Sequence, residues 1–127
     1  MSKESLRKCE NNGDDCPVKD VLNRIGDKWS MLTVIMLNHY GTLRFNELHQ
    51  HIDNISQKML TVTLKTLEAD GLVSRKIYSQ IPPRVEYTLT SLGESLVPPL
   101  MTLYDWANEH MPEIKASREN YENTLTK

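Results

Sequence analysis

Ser56-Gln57-Lys58-Met59-Leu60-Thr61-Val62-Thr63-Leu64-Lys65-Thr66-Leu67-Glu68-Ala69-Asp70-Gly71 runs directly into Leu72-Val73-Ser74-Arg75-Lys76-Ile77-Tyr78. The change of period within this stretch decides the fold. Leu60, Leu64 and Leu67 recur at helical spacing, and the residues after Gly71 read as a strand. Ser56 is a good N-cap, and Gly71 suits the left-handed position just past a helix end. The pattern predicts a helix over 57–70 and strands over 72–78 and 84–89. The intervening Ser79-Gln80-Ile81-Pro82-Pro83 reads as the turn, because proline cannot donate to a ladder. A β-hairpin therefore follows a helix without a spacer.

Upstream, Val18, Val21, Leu22 and Ile25 form a helical stripe that starts at Pro17 and stops at Gly26, with Asp15 or Cys16 as cap. Asp27 caps a second helix over 28–39. Its Trp29, Leu32, Thr33, Ile35, Met36 and Leu37 occupy more than one side and predict a buried central helix. Arg44 to His51 reads as a short third helix with Phe45, Leu48 and Ile52 inward, and Asp53-Asn54-Ile55 as a turn. Downstream, Thr90 caps a long helix from Ser91 to about Met111. Pro98-Pro99 deprives Glu94 and Ser95 of their helical donors and predicts a kink or break there. The expected organisation is a flexible arm over 1–14 with a turn at Asn11–Asp15, a winged helix-turn-helix domain over 15–111, and a polar, frayed tail over 112–127. The fold class is mainly α with one small β-hairpin.

The 127 residues suit one domain, and 39% hydrophobic with 25% charged residues is an ordinary globular balance. No apolar run approaches a membrane span, and the charged start has no secretory h-region, so the expected location is the cytoplasm. The net charge of −2 hides an asymmetry. Residues 1–55 carry −1 and residues 85–127 carry −4, whereas 56–84, with Lys58, Lys65, Arg75, Lys76 and Arg84, carries +3. The only basic segment is thus the predicted helix and hairpin. His49 and His51, with His39, His110 and the two cysteines, lack metal-ligand spacing, and no phosphate loop or nucleophile elbow is present. No cofactor, metal or catalytic centre is expected.

Helix, helix, helix-turn-helix, hairpin and long helix is the order of a winged helix. Its recognition helix enters the major groove of duplex DNA N-terminus first. With the leucines inward, Lys58, Val62, Lys65 and Thr66 point outward, flanked by Gln57 and Thr61. Glutamine pairs with adenine, lysine with guanine or phosphate, and valine or a threonine methyl with the thymine methyl. Ser56 sits where backbone N–H groups favour a phosphate, and Arg75, Lys76 and Arg84 suit phosphate contact from the hairpin. The competing reading is a winged-helix protein-interaction module with a merely solvated basic face.

Several segments together resemble the HxlR family of winged-helix regulators, which is related to the MarR group. They are Cys16-Pro17, Ile25-Gly26-Asp27-Lys28-Trp29, Arg44-Phe45-Asn46-Glu47-Leu48, Ile55 to Thr61, Leu64 to Val73, Pro82 to Thr90 and Leu92-Gly93. The resemblance spans about residues 16–110; Asp27 and Pro99 depart from the usual pattern. It implies a homodimeric DNA-binding regulator. DNA contact carries over to Ser56, Gln57, Lys58 and the wing, and dimer contact to the first and last helices. On those helices the expected interface residues are Val18, Leu22, Leu92, Leu96, Leu100, Leu103, Trp106 and Ala107. Two-fold symmetry then calls for a near-palindromic operator with half-sites about one helical turn apart. Several relatives look like sensors of oxidants or electrophiles through a cysteine just before the first helix, the place of Cys16. A helix N-terminus favours the reactive thiolate and Lys19 adds to this, whereas Asp14 and Asp15 oppose it. Cys16 therefore reads either as a sensor or as a small residue half-buried at the dimer interface. Cys9 reads either as its resolving partner or as a spare thiol.

Overall fold

The elements begin and end at residues whose side chains or backbone can close a helix. In the computed structural model, residues 3–10 and 16–126 are described. Helix α1 (Lys3–Glu10) precedes α2 (Pro17–Ile25), which closes on Gly26. Asp27 accepts from the Ser30 amide and opens α3 (Lys28–Tyr40). A two-residue strand, β1 (Leu43–Arg44), leads into α4 (Phe45–His51), where the Glu47 carboxylate accepts from the Arg44 amide. Ser56 accepts from the Met59 amide and opens α5 (Gln57–Ala69). Strands β2 (Val73–Tyr78) and β3 (Arg84–Leu89) follow, and then α6 (Ser91–Leu125), opened by Thr90.

The end of α5 is a Schellman motif. Leu72 N–H donates to Leu67 C=O, Gly71 N–H to Glu68 C=O, and Gly71 has φ 78°. The predicted hairpin is present, with Val73 opposite Leu89 and Tyr78 opposite Arg84. It is part of a three-stranded antiparallel sheet in the order β1-β3-β2. The sequence pattern does not disclose β1, because two residues are too few to display a period of two.

One core joins the elements. Val34 and Leu37 of α3 pack with Leu48, Ile52, Leu60, Leu64, Leu67, Val73 and Leu89, and α3 is the central helix. Its buried Ser30 and Thr33 hydroxyls are satisfied locally, donating to Asp27 Oδ2 (2.7 Å) and to the Trp29 carbonyl (2.7 Å). Burial alone raises the pKa of the Asp27 carboxyl. The hydrogen bonds from Ser30, together with those from the Asp27 and Trp29 amides, outweigh it and hold the group below the ordinary aspartate range.

Three expectations need correction. Lys3–Glu10, expected as a flexible arm, form a helix, and Cys9 within it is no spare thiol but is bonded to Cys16. The segment is made mainly of good helix formers, and the bond to Cys16 anchors it in place of an apolar stripe. Of the kink or break expected at Pro98-Pro99, the break is absent, and the helix expected to fray beyond Met111 continues to Leu125 with Pro98, Pro99 and Pro112 inside it. The carbonyls left without donors at Glu94 and Ser95 belong to exposed residues, which water can serve. The expected turn at Asn11–Asp15, the Asp15 cap and the influence of Asp14 all lie outside the described residues. No described helix is long and apolar enough to cross a membrane.

Two predictions follow from these contacts. A methyl group at Gly93 collides with the Leu72 carbonyl. Glycine to alanine in a helix ordinarily stabilises by about 1 kcal/mol. Gly93→Ala is expected instead to destabilise by about 1–3 kcal/mol through overpacking, and an unchanged or raised urea midpoint contradicts this. Because the folded-state pKa of Asp27 is depressed, its contribution is present above the unfolded value of about 3.9 and is lost as pH falls through the folded value. Acid titrations followed by circular dichroism should therefore show a shallower loss of stability below about pH 4 in Asp27→Asn than in the parent.

Candidate nucleic-acid interface

Helix α5 has one face inside the protein and one outside it. Leu60, Thr63, Leu64 and Leu67 are buried, whereas Gln57, Lys58, Thr61, Val62 and Lys65 are exposed together. Val62, an apolar residue in the middle of that face, is 51% exposed. Thr66, expected to point outward, is half-buried. Met59 is also exposed, a residue that the sequence reading placed on neither face. The Thr61 hydroxyl donates to the Gln57 carbonyl (2.8 Å), which leaves its methyl as the group free to meet a base edge. Ser56 Oγ is used by the Met59 amide (3.0 Å). The amides of Gln57 and Lys58 at the start of the helix have no intrahelical acceptor.

The wing and α5 are joined by charge. Arg75 Nε on β2 lies 3.4 Å from Glu68 Oε2 on α5, so this cation is partly neutralised within the protein. Tyr78 carries two cations on its ring: Arg84 lies 4.1 Å from the ring centroid and Lys76 Nζ lies 5.0 Å from it. Tyr87, beside Arg75 and Glu68, has its phenol pushed up by burial, an effect that Arg75 offsets in part. The other end of α5 is tied to α2, where Arg24 Nε donates to Asp70 Oδ1 (2.8 Å) and Oδ2 (2.9 Å). The guanidinium pKa is raised, first by that hydrogen bond and then by the Asp70 charge.

The expected dimer residues fall into two groups. Val18, Leu22, Leu92, Leu103 and Trp106 are at least half exposed on α2 and α6. Leu96 and Ala107 are half-buried, and Leu100 packs into the protomer's own core. A cleft of about 420 Å³ opens between the two helices, lined by Val21, Ile25, Leu72, Leu92, Leu96 and Pro99 with Asp20, Asp70 and Ser95 at its polar parts. Cys16 is buried at 3% exposure as the N-cap residue of α2, and its sulfur is bonded to Cys9 of α1.

Comparison with known proteins places this arrangement. Residues 24–115 match the family model for the HxlR-like helix-turn-helix. The HTH-type transcriptional regulator YtfH of Escherichia coli is 37% identical over 123 residues, covering 94% of this chain and 97% of that protein. A solved structure described as a transcriptional regulator YtfH from Salmonella typhimurium aligns with a TM-score of 0.76 and 37% identity, over 84% of this chain and 95% of that one. The redox regulator HypR in its reduced form aligns with a TM-score of 0.70 and 40% identity, over 79% of this chain and 98% of its own. The order of elements, the exposed face of α5 and these likenesses agree: the chain belongs to the HxlR-like helix-turn-helix family of transcriptional regulators.

Proposed function

We propose that two copies of the chain bind a near-palindromic operator in duplex DNA, and that the thiol state of Cys16 governs whether they stay bound. The observation that carries this reading is the exposed face of Gln57, Lys58, Thr61, Val62 and Lys65, flanked by the Lys76 and Arg84 wing. Gln57, Lys58 and Val62 face base edges, and Ser56, Lys65, Arg75, Lys76 and Arg84 lie along the phosphates. The pairing of two copies is supported by the apolar side chains that α2 and α6 leave at the surface beside their shared cleft. A face of this kind buries its exposed leucines, valine and tryptophan only against another molecule, and a second copy brings the same face in return.

Redox control is supported by the likeness to the redox regulator HypR and by the bond between Cys9 and Cys16. Two thiols become that bond by giving two electrons and two protons to an oxidant such as diamide or a peroxide. In this reading Cys16, at the N-cap of α2, is the thiol that attacks the oxidant, and Cys9 on the exposed side of α1 resolves it. The link then ties α1 to the start of α2, next to the surface assigned to the second copy.

Operator DNA selected from a random duplex pool tests the first part. Affinity is expected to fall steeply with salt, as several phosphates are neutralised. Gln57→Ala with Lys58→Ala should abolish selective binding while sedimentation still reports a dimer. Binding that ignores salt, or survives the double substitution, rejects the assigned face, and the former favours a protein partner. For the second part, Cys16→Ser should remove any effect of diamide on operator release. Cys9→Ser should remove the diamide effect while leaving alkylation of Cys16 by a quinone intact. An unchanged diamide response in Cys16→Ser eliminates this residue as the trigger.

A further inference from the structure

The outer face of the sheet holds a group of charges that the reading face of α5 does not use. Residues paired across antiparallel strands share a face. On the central strand β3, Glu86 is flanked by Arg44 of β1 on one side and Lys76 of β2 on the other. Arg84 lies two residues before Glu86 on the same face, with its Nε 3.8 Å from Glu86 Oε1. Three cations thus surround one carboxylate, and the face keeps an excess of two positive charges. The Arg84–Glu86 distance is too long for a good hydrogen bond, and Arg84 Nε is a buried donor that donates to nothing. Tyr78, across from Arg84, holds the guanidinium against its ring. Arg44 makes no ion pair among the described residues. Beside this group lies a cleft of about 370 Å³ between the start of α4 and the tip of the wing, lined by Arg44, Asn46, Gln80, Pro82, Pro83 and Arg84.

We propose that this cleft is a phosphate clamp, and that its occupant is a phosphodiester of the DNA backbone next to the groove read by α5. The inference rests on the DNA-binding reading above and adds Arg44 and Gln80 to it. Guanidinium groups match the paired oxygens of a phosphate, and a ring-stacked arginine loses little freedom on binding one. Gln80 has an amide that can donate from the far wall. Lys76 contributes charge from β2. Glu86 is an internal counter-ion: it keeps Arg84 and Arg44 from repelling one another in the free protein and competes with the phosphate in the complex. The clamp is blind to sequence and sets the position of the wing, so that α5 enters the groove at a fixed angle.

The test uses the full chain, a labelled mixed-sequence duplex, and anisotropy titrations across a range of salt. Arg44→Ala is expected to weaken binding to all sequences alike and to lower the slope of log affinity against log salt by about one. Glu86→Gln is expected to strengthen binding to the same duplex. Gln80→Ala, on the exposed turn, is a second reading of the cleft that leaves the core untouched, and should weaken binding without altering the slope. If Arg44→Ala and Gln80→Ala both bind as the parent does, the clamp is overturned and the α5 assignment stands. If the parent itself binds no duplex, both fall. Inorganic phosphate at matched ionic strength separates a free anion from the backbone. Displacement of the duplex from the parent by phosphate but not by chloride, together with an unchanged slope in Arg44→Ala, overturns the backbone assignment.

Discussion

The backbone of Leu72 is the point on which the fold depends. Its N–H closes α5 by donating to Leu67, and its carbonyl accepts from the Thr90 amide (3.0 Å) as the chain leaves β3. Thr90 in turn donates its hydroxyl to the Gly71 carbonyl and accepts from the Gly93 amide (3.0 Å), opening α6. Gly93 packs on the Leu72 carbonyl so closely that no side chain fits between them. The end of α5, both ends of the β2–β3 hairpin and the start of the longest helix are therefore held at one place. Left-handed geometry at Gly71 and the missing Cβ at Gly93 are both required for it.

This knot fixes what can move relative to what. Helix α5 is secured at its C-terminal end by the Schellman turn, by Arg24 through Asp70, and by Arg75 through Glu68. These ion pairs are exposed and each contributes little to stability. Their role is positional, since they join α2 and β2 to the same turn of α5. Its N-terminal turns, where base contact is proposed, are held by the Ser56 cap, the Thr61 bond to the Gln57 carbonyl and the buried leucines, with no ion pair among the described residues. The reading end is thus left open, and the supporting end carries the tertiary constraints.

Much of this was legible in the sequence because it is written in local chemistry. Asp27, Ser56 and Thr90 cap the helices they precede, Gly71 has the left-handed conformation, and Leu60, Leu64 and Leu67 are buried. Other features depend on distant partners and leave no periodic trace. Strand β1 exists only because β3 lies beside it. Arg44, read as the first residue of a helix, belongs to the sheet and shares a face with Glu86. Helix α1 is anchored through a sulfur bond; the sequence offered that pairing as one of two roles for Cys9, and spacing alone does not decide between them. The prolines misled for a different reason. A break at Pro98-Pro99 is the expected cost of two missing donors, but the freed carbonyls lie at exposed residues, and the helix, which packs on α3, continues through them.

Helix α6 has a mechanical consequence. Its 35 residues extend for about 52 Å at 1.5 Å per residue, while its buried residues, Gly93 and Leu100, lie near its start. Beyond Pro99 some 39 Å of rod remains. A swing of about 10° at the proline pair carries the far tip through roughly 7 Å, by the same rise per residue. Because displacement grows with distance from the proline pair, any small change of angle there is read out mainly at the far tip of the rod.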